Sequence, residues 1–177
     1  MKDEASIAAH FERHLGRAQL VLRDRPGALV PRHVYGAPPC QGRRHWVLHT
    51  MGVSLLSLEG RKGEYRHFEF MMSLPDDWIP SERWPAYMLQ RASRAIVGVG
   101  KAPGDGGVFF NSAECSQGSS HVFALLVAPS RQLPAAGPVE VYAMYPLTYD
   151  AWLRHRERQL DIATLPEVVV EWREMLR

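Results

Sequence analysis

The chain has 177 residues, 46% of them hydrophobic, and its 21 basic and 19 acidic side chains leave a formal charge of +2. That length and composition suit one α/β domain (residues 1–177) with a substantial core and exclude extensive disorder. The charges are interspersed rather than gathered into a nucleic-acid groove, and no apolar stretch approaches the roughly 20 residues that span a bilayer.

A helix is expected over residues 4–17, where Ile7, Phe11, Leu15 and Ala18 recur at three- and four-residue spacing. The turn Arg25-Pro26-Gly27 then leads to a strand at residues 30–35. Pro38-Pro39 closes it, because proline lacks the ladder donor and restrains its predecessor. Residues 45–51 read as a second strand. Residues 65–74 form the clearest one, with Phe68, Phe70, Met72 and Leu74 on one face and His67, Glu69 and Ser73 on the other. This alternation predicts a sheet covered on one side. Residues 55–64, rich in glycine and charge, read as an exposed loop.

Pro75 and Pro80 bracket a turn. A helix follows over residues 84–97, with Pro85 in its first turn, where a missing N–H is harmless. Residues 98–107 hold five glycines and are read as a loop. Strands follow at residues 108–111, 121–128 and 139–145, with residues 129–138 as a long hairpin connection. Thr148 is placed to cap a helix reaching Gln159. Thr164-x-x-Glu167 looks like a capping box before a last helix, whose apolar face would be Val168, Val169, Trp172, Met175 and Leu176. This order predicts an α+β fold, a mixed and mostly antiparallel sheet with helices packed against it.

The candidate chemistry fails on spacing. In His10-Phe11-Glu12-Arg13-His14 the glutamate comes one position too late for a zinc-protease helix, about 100° round from where it is needed. Gly98-Val99-Gly100-Lys101 lacks both the upstream glycine and the hydroxyl residue of a phosphate loop. No Gly-x-Ser-x-Gly elbow occurs. Cys115 with His121 or His67 would make a nucleophile and base only if the fold brought them together. Two cysteines, Cys40 and Cys115, are too few for a disulfide framework and fit free thiols in a reducing cytosol. No signal-peptide pattern follows Met1, so a cytoplasmic setting is expected. No catalytic group, cofactor or metal site is predicted.

Several segments in order resemble the suppressor-of-fused family. They are His33-Val34-Tyr35 with Pro38-Pro39, then Trp46 and Thr50-Met51-Gly52-Val53-Ser54, then residues 68–75 with Trp78. Trp84-Pro85-Ala86, Leu125-Leu126 before Pro129, and residues 139–145 running into Pro146-Leu147 complete the set. The resemblance lies over residues 30–156, and Trp46, Gly52, Leu74, Pro75, Trp78, Trp84, Pro85 and Pro146 carry it. Each also has a plain structural reading as core or turn. The resemblance implies protein binding: the animal proteins clamp a transcription-factor peptide as an added strand, and compact bacterial members resemble immunity proteins that neutralise toxins. A partner protein, with a toxin as one form of it, is therefore expected, or else a regulatory or scaffold module for another intracellular protein. The third class is a metal- or cysteine-dependent enzyme. The binding surface is expected on the loop after Gly52, at Ser54, Leu56, Leu58 and Glu59. Glu69 is either a partner contact or a buried, hydrogen-bonded carboxylate. The three leucines of that loop are either buried internally or offered to the partner, with charges as the rim.

Overall fold

The computed structural model describes residues 4–27, 32–60, 62–110, 122, 124–166 and 168–169. Its elements are α1 (Glu4–Leu15), β1 (Gln19–Leu22), β2 (His33–Ala37), β3 (Trp46–Met51), β4 (Leu58–Glu59), β5 (Tyr65–Leu74), α2 (Trp84–Val99), β6 (Gly107–Phe110), β7 (Ala124–Pro129), β8 (Val139–Leu147) and α3 (Tyr149–Arg156). The strands form one sheet in the order β1-β2-β3-β5-β8-β7-β6, with β4 on β5 as a side branch. Every pairing is antiparallel except β5 with β8, which runs parallel from His67↔Val139 to Met71↔Ala143. The fold is thus α+β with a mixed, mostly antiparallel sheet, as the element order predicts.

The sheet is covered on both sides, where the alternation in β5 predicts one. Phe68, Phe70, Met72 and Leu74 do face inward, into a core closed by Trp78, Trp84, Met88, Leu89 and Ile96 of the turn and α2. The opposite face is a second core. Ile7, Phe11 and Leu15 of α1 and Leu133 of the 130–138 connection cover Val47, Met71, Val141 and Tyr145. From Phe68 onward every residue of β5 is buried. The polar positions on its second face, Glu69 and Ser73, therefore mark internal hydrogen bonds and not solvent.

Several local structures differ from the sequence reading. The four-residue β1 has no alternation long enough to detect, and its pairing with β2 creates it. α1 stops at Leu15 because Gly16 turns left-handed at φ +78. β2 and β3 meet at Arg43. Its guanidinium donates to the carbonyls of Leu15 (2.8 Å), Ala37 (3.3 Å), Pro38 (2.8 Å) and His45 (2.6 Å), tying the end of α1 to the hairpin. α3 ends at Arg156, and Thr148 caps it by accepting from Ala151 N (3.3 Å). Glu167 of the expected capping box lies outside the described residues. Thr164 closes a 3-10 turn that Asp161 caps, and Val168 and Val169 are not helical. The rest of the last predicted helix lies outside the described residues, as does Cys115.

Asp24, at the end of β1, is a second clasp. Its carboxylate accepts from the backbone of Arg25 (2.9 Å) and Arg32 (3.1 Å) and from the side chains of Arg32 (3.2 Å) and Arg94 of α2. Burial pushes the carboxyl up, but the bonds from Arg94, Arg25 and Arg32 together bring it down from 3.8 to about 2. A depressed carboxyl stabilises the fold above its unfolded value and loses that contribution as pH falls through the folded value. Stability of the wild type is therefore expected to decline between pH 4 and 2 in part through this group. Chemical denaturation of Asp24→Asn over that range is expected to show a shallower decline, from a lower starting stability.

Candidate partner-binding surface

β3 ends at Met51, and Gly52 turns the chain with φ +113, a conformation closed to most side chains. One 3-10 turn (Val53–Leu55) follows, then β4, which returns to pair with β5 at Leu58↔Arg66 and Glu59↔Tyr65. The loop is fastened from beneath by Glu69, which is fully buried. Its Oε1 accepts from Gly52 N (2.9 Å), Ser54 N (3.0 Å) and Ser54 Oγ (2.5 Å), and its Oε2 from Thr50 Oγ1 (2.6 Å). Thr50 Oγ1 in turn accepts from Phe70 N (2.8 Å). Burial pushes the Glu69 carboxyl up, and the four donors from Ser54, Thr50 and Gly52 pull it down without cancelling that effect. His67 completes the anchorage, its Nδ1 2.8 Å from Ser54 O. A carbonyl only accepts, so the proton sits on Nδ1.

The outer side of β4 is also occupied. Glu59 N donates to Gly100 O (3.3 Å), and Ala102 N donates to Glu59 O (2.8 Å). Gly100, part of the glycine-lysine sequence that resembles a phosphate loop, is the left-handed cap of α2. His10, of the rejected zinc pattern, is bonded to Pro134 O at 3.0 Å. Among the described residues no group of three or more His, Cys, Asp or Glu side chains could hold a metal ion.

The residues proposed from sequence thus separate. Ser54, Leu58 and Glu69 are buried, so none presents its side chain to a partner, and the loop is not an open one. Leu58 enters the core beside Phe68 because β4 pairs with β5, and Leu56 packs half-buried against the same core. Leu55 (38% exposed) and the side chain of Glu59 remain outside. Tyr65, absent from the sequence reading, is 73% exposed and lies two residues from His67 on the same face of β5. Leu55 follows Ser54 in the chain, and Tyr65 stands directly opposite Glu59 in the β4–β5 pairing. The remaining motif residues are structural. Trp46 meets Trp78 edge to face at 5.2 Å, Pro75 O accepts from Trp78 N (3.2 Å), and Trp84-Pro85 opens α2. Leu74 is buried, and Pro146 lies beyond Ala143, the last residue of β8 paired with β5.

The family model described as suppressor of fused protein matches residues 29–155, most of the chain. The chain belongs to the suppressor-of-fused family. A suppressor-of-fused homologue from Neisseria gonorrhoeae FA 1090 superposes with a TM-score of 0.65 at 14% identity, covering 93% of this chain and 92% of that one. A chain of the Sufu–Fu complex gives 0.56 at 19% identity, covering 86% and 77%. Drosophila Suppressor of Fused gives 0.47 at 22% identity, over 68% of this chain but only 34% of that one. At such identities the first two likenesses establish the suppressor-of-fused fold and no more. No curated protein matches the chain in sequence.

Proposed function

We propose that this suppressor-of-fused domain is a non-catalytic, protein-binding module that docks its partner on the surface built by Leu55, Glu59 and Tyr65. One observation carries the reading. A buried carboxylate with four donors fixes the turn that bears the exposed Leu55, and β4 leads from that turn to set the exposed Glu59 opposite the exposed Tyr65 of β5. Interfaces favour such rigid apolar anchors with polar edges, and a fixed loop loses little conformational freedom on binding. The solved Sufu–Fu complex, in which a protein of this fold meets a protein partner, supports the same class of role. Nucleic acid fits less well, because Arg32, Arg43, Arg66, Arg94 and Arg131 are engaged with the protein's own carboxylates and carbonyls. Among the described residues no helix is long and apolar enough to cross a membrane. Among the described residues Cys40 is exposed and in no disulfide, and a cytoplasmic setting belongs to the same proposal.

The test begins with affinity purification from the native cell and continues with titration of the purified partner. Leu55→Asp and Tyr65→Ala are each expected to weaken binding by about tenfold or more while leaving Tm nearly unchanged. Leu58→Ala serves as the contrast. Its side chain is buried, so its effect is on stability, about 2–5 kcal/mol. Unchanged affinity in both surface variants would remove the loop from the interface. A partner that is toxic when expressed alone and harmless with this chain would narrow the role to immunity, whereas a harmless one leaves regulation or scaffolding.

A further inference from the structure

β5 and β8 part company after Met71↔Ala143, and β5 continues to Leu74 with its main chain open on that side. The C-terminal segment fills the gap. Val169 N donates to Ser73 O (3.0 Å), and the Val169 side chain joins the α2-side core. Upstream, Arg131 donates from Nη1 to Ala163 O (2.7 Å) and from Nη2 to Leu165 O (2.6 Å). The segment crosses from one face of the sheet to the other, since Leu160, Ile162 and Leu165 pack on the α1 side.

This attachment is slight beside the rest of the fold. Among the described residues from 148 to 168 no side chain is buried, and α3 itself buries none. Segments with few buried apolar contacts and exposed hydrogen bonds open at low free energy. The segment also begins at a strained point. Arg158 has φ +59, the one positive φ on a residue other than glycine among the described residues. A left-handed arginine just past the end of α3 is a natural hinge, because detachment lets it relax.

The groups beneath recognise main chain. Ser73 O accepts an N–H, and the Arg131 fork donates to two carbonyls two residues apart. Met71, Gln132, Ala143 and Tyr145 line the narrow cleft around them. We infer that the segment formed by residues 160–166 and 168–169 is a detachable strap hinged at Arg158, and that its release opens a docking site for an extended peptide of a partner protein. The identity of that partner rests on the protein-binding reading above; the strap does not.

Amide hydrogen exchange on the full chain tests detachment. The Val169 amide is expected to exchange on the order of a hundredfold faster than the central amides of β5, through local opening. A synthetic peptide of residues 159–177 tests the site. Full-length Val169→Pro, which lacks the N–H to Ser73, is expected to bind that peptide about tenfold more tightly than the wild type, with shifts at Ser73 and Arg131. Exchange of Val169 only through global unfolding would make the segment part of the core and overturn the inference. Equal peptide binding by both chains would overturn the docking site. Both measurements use this chain's own sequence, so their failure leaves the surface at Leu55 and Tyr65 untouched.

Discussion

Trp78→Ala is expected to destabilise the protein by about 3–5 kcal/mol, the range found when a buried large aromatic is truncated in a core that cannot collapse. Trp78 is 1% exposed and packs edge to face on Trp46, and its Nε1 donates to Glu82 O (3.0 Å). The side chain therefore fills the gap between the end of β5, the start of β3 and the entry to α2, and alanine would leave a void under all three. The indole bond to Glu82 also fixes the turn that aims α2 at the sheet. Urea denaturation would measure the loss. A Trp78→Phe variant separates the two contributions, because it keeps most of the packing and removes the N–H. It is expected to lose only about 1–2 kcal/mol. A value for alanine below about 1 kcal/mol would show that the turn closes over the gap.

Glu69→Ala is the other severe substitution, for a different reason. Removing the carboxylate strands the buried N–H groups of Gly52 and Ser54, each worth about 1–3 kcal/mol when left without an acceptor. The hydroxyls of Thr50 and Ser54 can rotate; these two amides cannot. A loss of about 2–6 kcal/mol is expected. Glu69→Gln keeps the acceptor on the loop side and offers its amide to Thr50 Oγ1, whose proton turns to Phe70 O (3.4 Å). Glutamine is therefore expected to remain within about 1.5 kcal/mol of the wild type. The pH dependence runs opposite to that of Asp24. A carboxyl raised by burial favours the fold below its unfolded value and loses that contribution as pH rises through the folded one. Glu69→Gln is expected to lack this component in stability measured from pH 4 upward. Equal stability of the alanine and glutamine variants would show that water replaces the carboxylate.

The long elements were legible because period and length agree. Residues 65–74 alternate for ten positions, and the stripe of α2 repeats over four turns with a proline at its start. β1 and β4 were not, since four and two residues carry no period and exist only through their neighbours. Ser73 and Glu69 misled about solvent because a polar residue on a strand face has two explanations, water or an internal partner, and sequence alone does not show the partner. For Glu69 the second explanation was among those weighed, and Thr50, Gly52 and Ser54 stand close in sequence as its donors. Arg43 gave no signal, because its four acceptors are main-chain carbonyls that any sequence supplies. The leucines of the loop after Gly52 divided by register. Leu58 pairs into the sheet and is buried, while Leu55, at the end of the 3-10 turn, faces out. Tyr65 was overlooked as the first residue of a strand whose later positions drew attention.

The parallel pairing of β5 with β8 also bears on how the chain is made. Upstream of β5 the pairings are local: β1, β2 and β3 form a meander that β5 extends, and β4 folds back onto β5. β8 arrives some seventy residues after its partner, as His67↔Val139 shows. Synthesis from the N-terminus therefore passes through a stage at which β1 to β5 and α2 are available while the β8 side of β5 stays bare, at the low speed of a few residues per second to tens. An apolar strand with an open edge is the template on which other chains aggregate. The ribosome-bound stage, more than the finished fold, is therefore when this strand edge is expected to be open to aggregation.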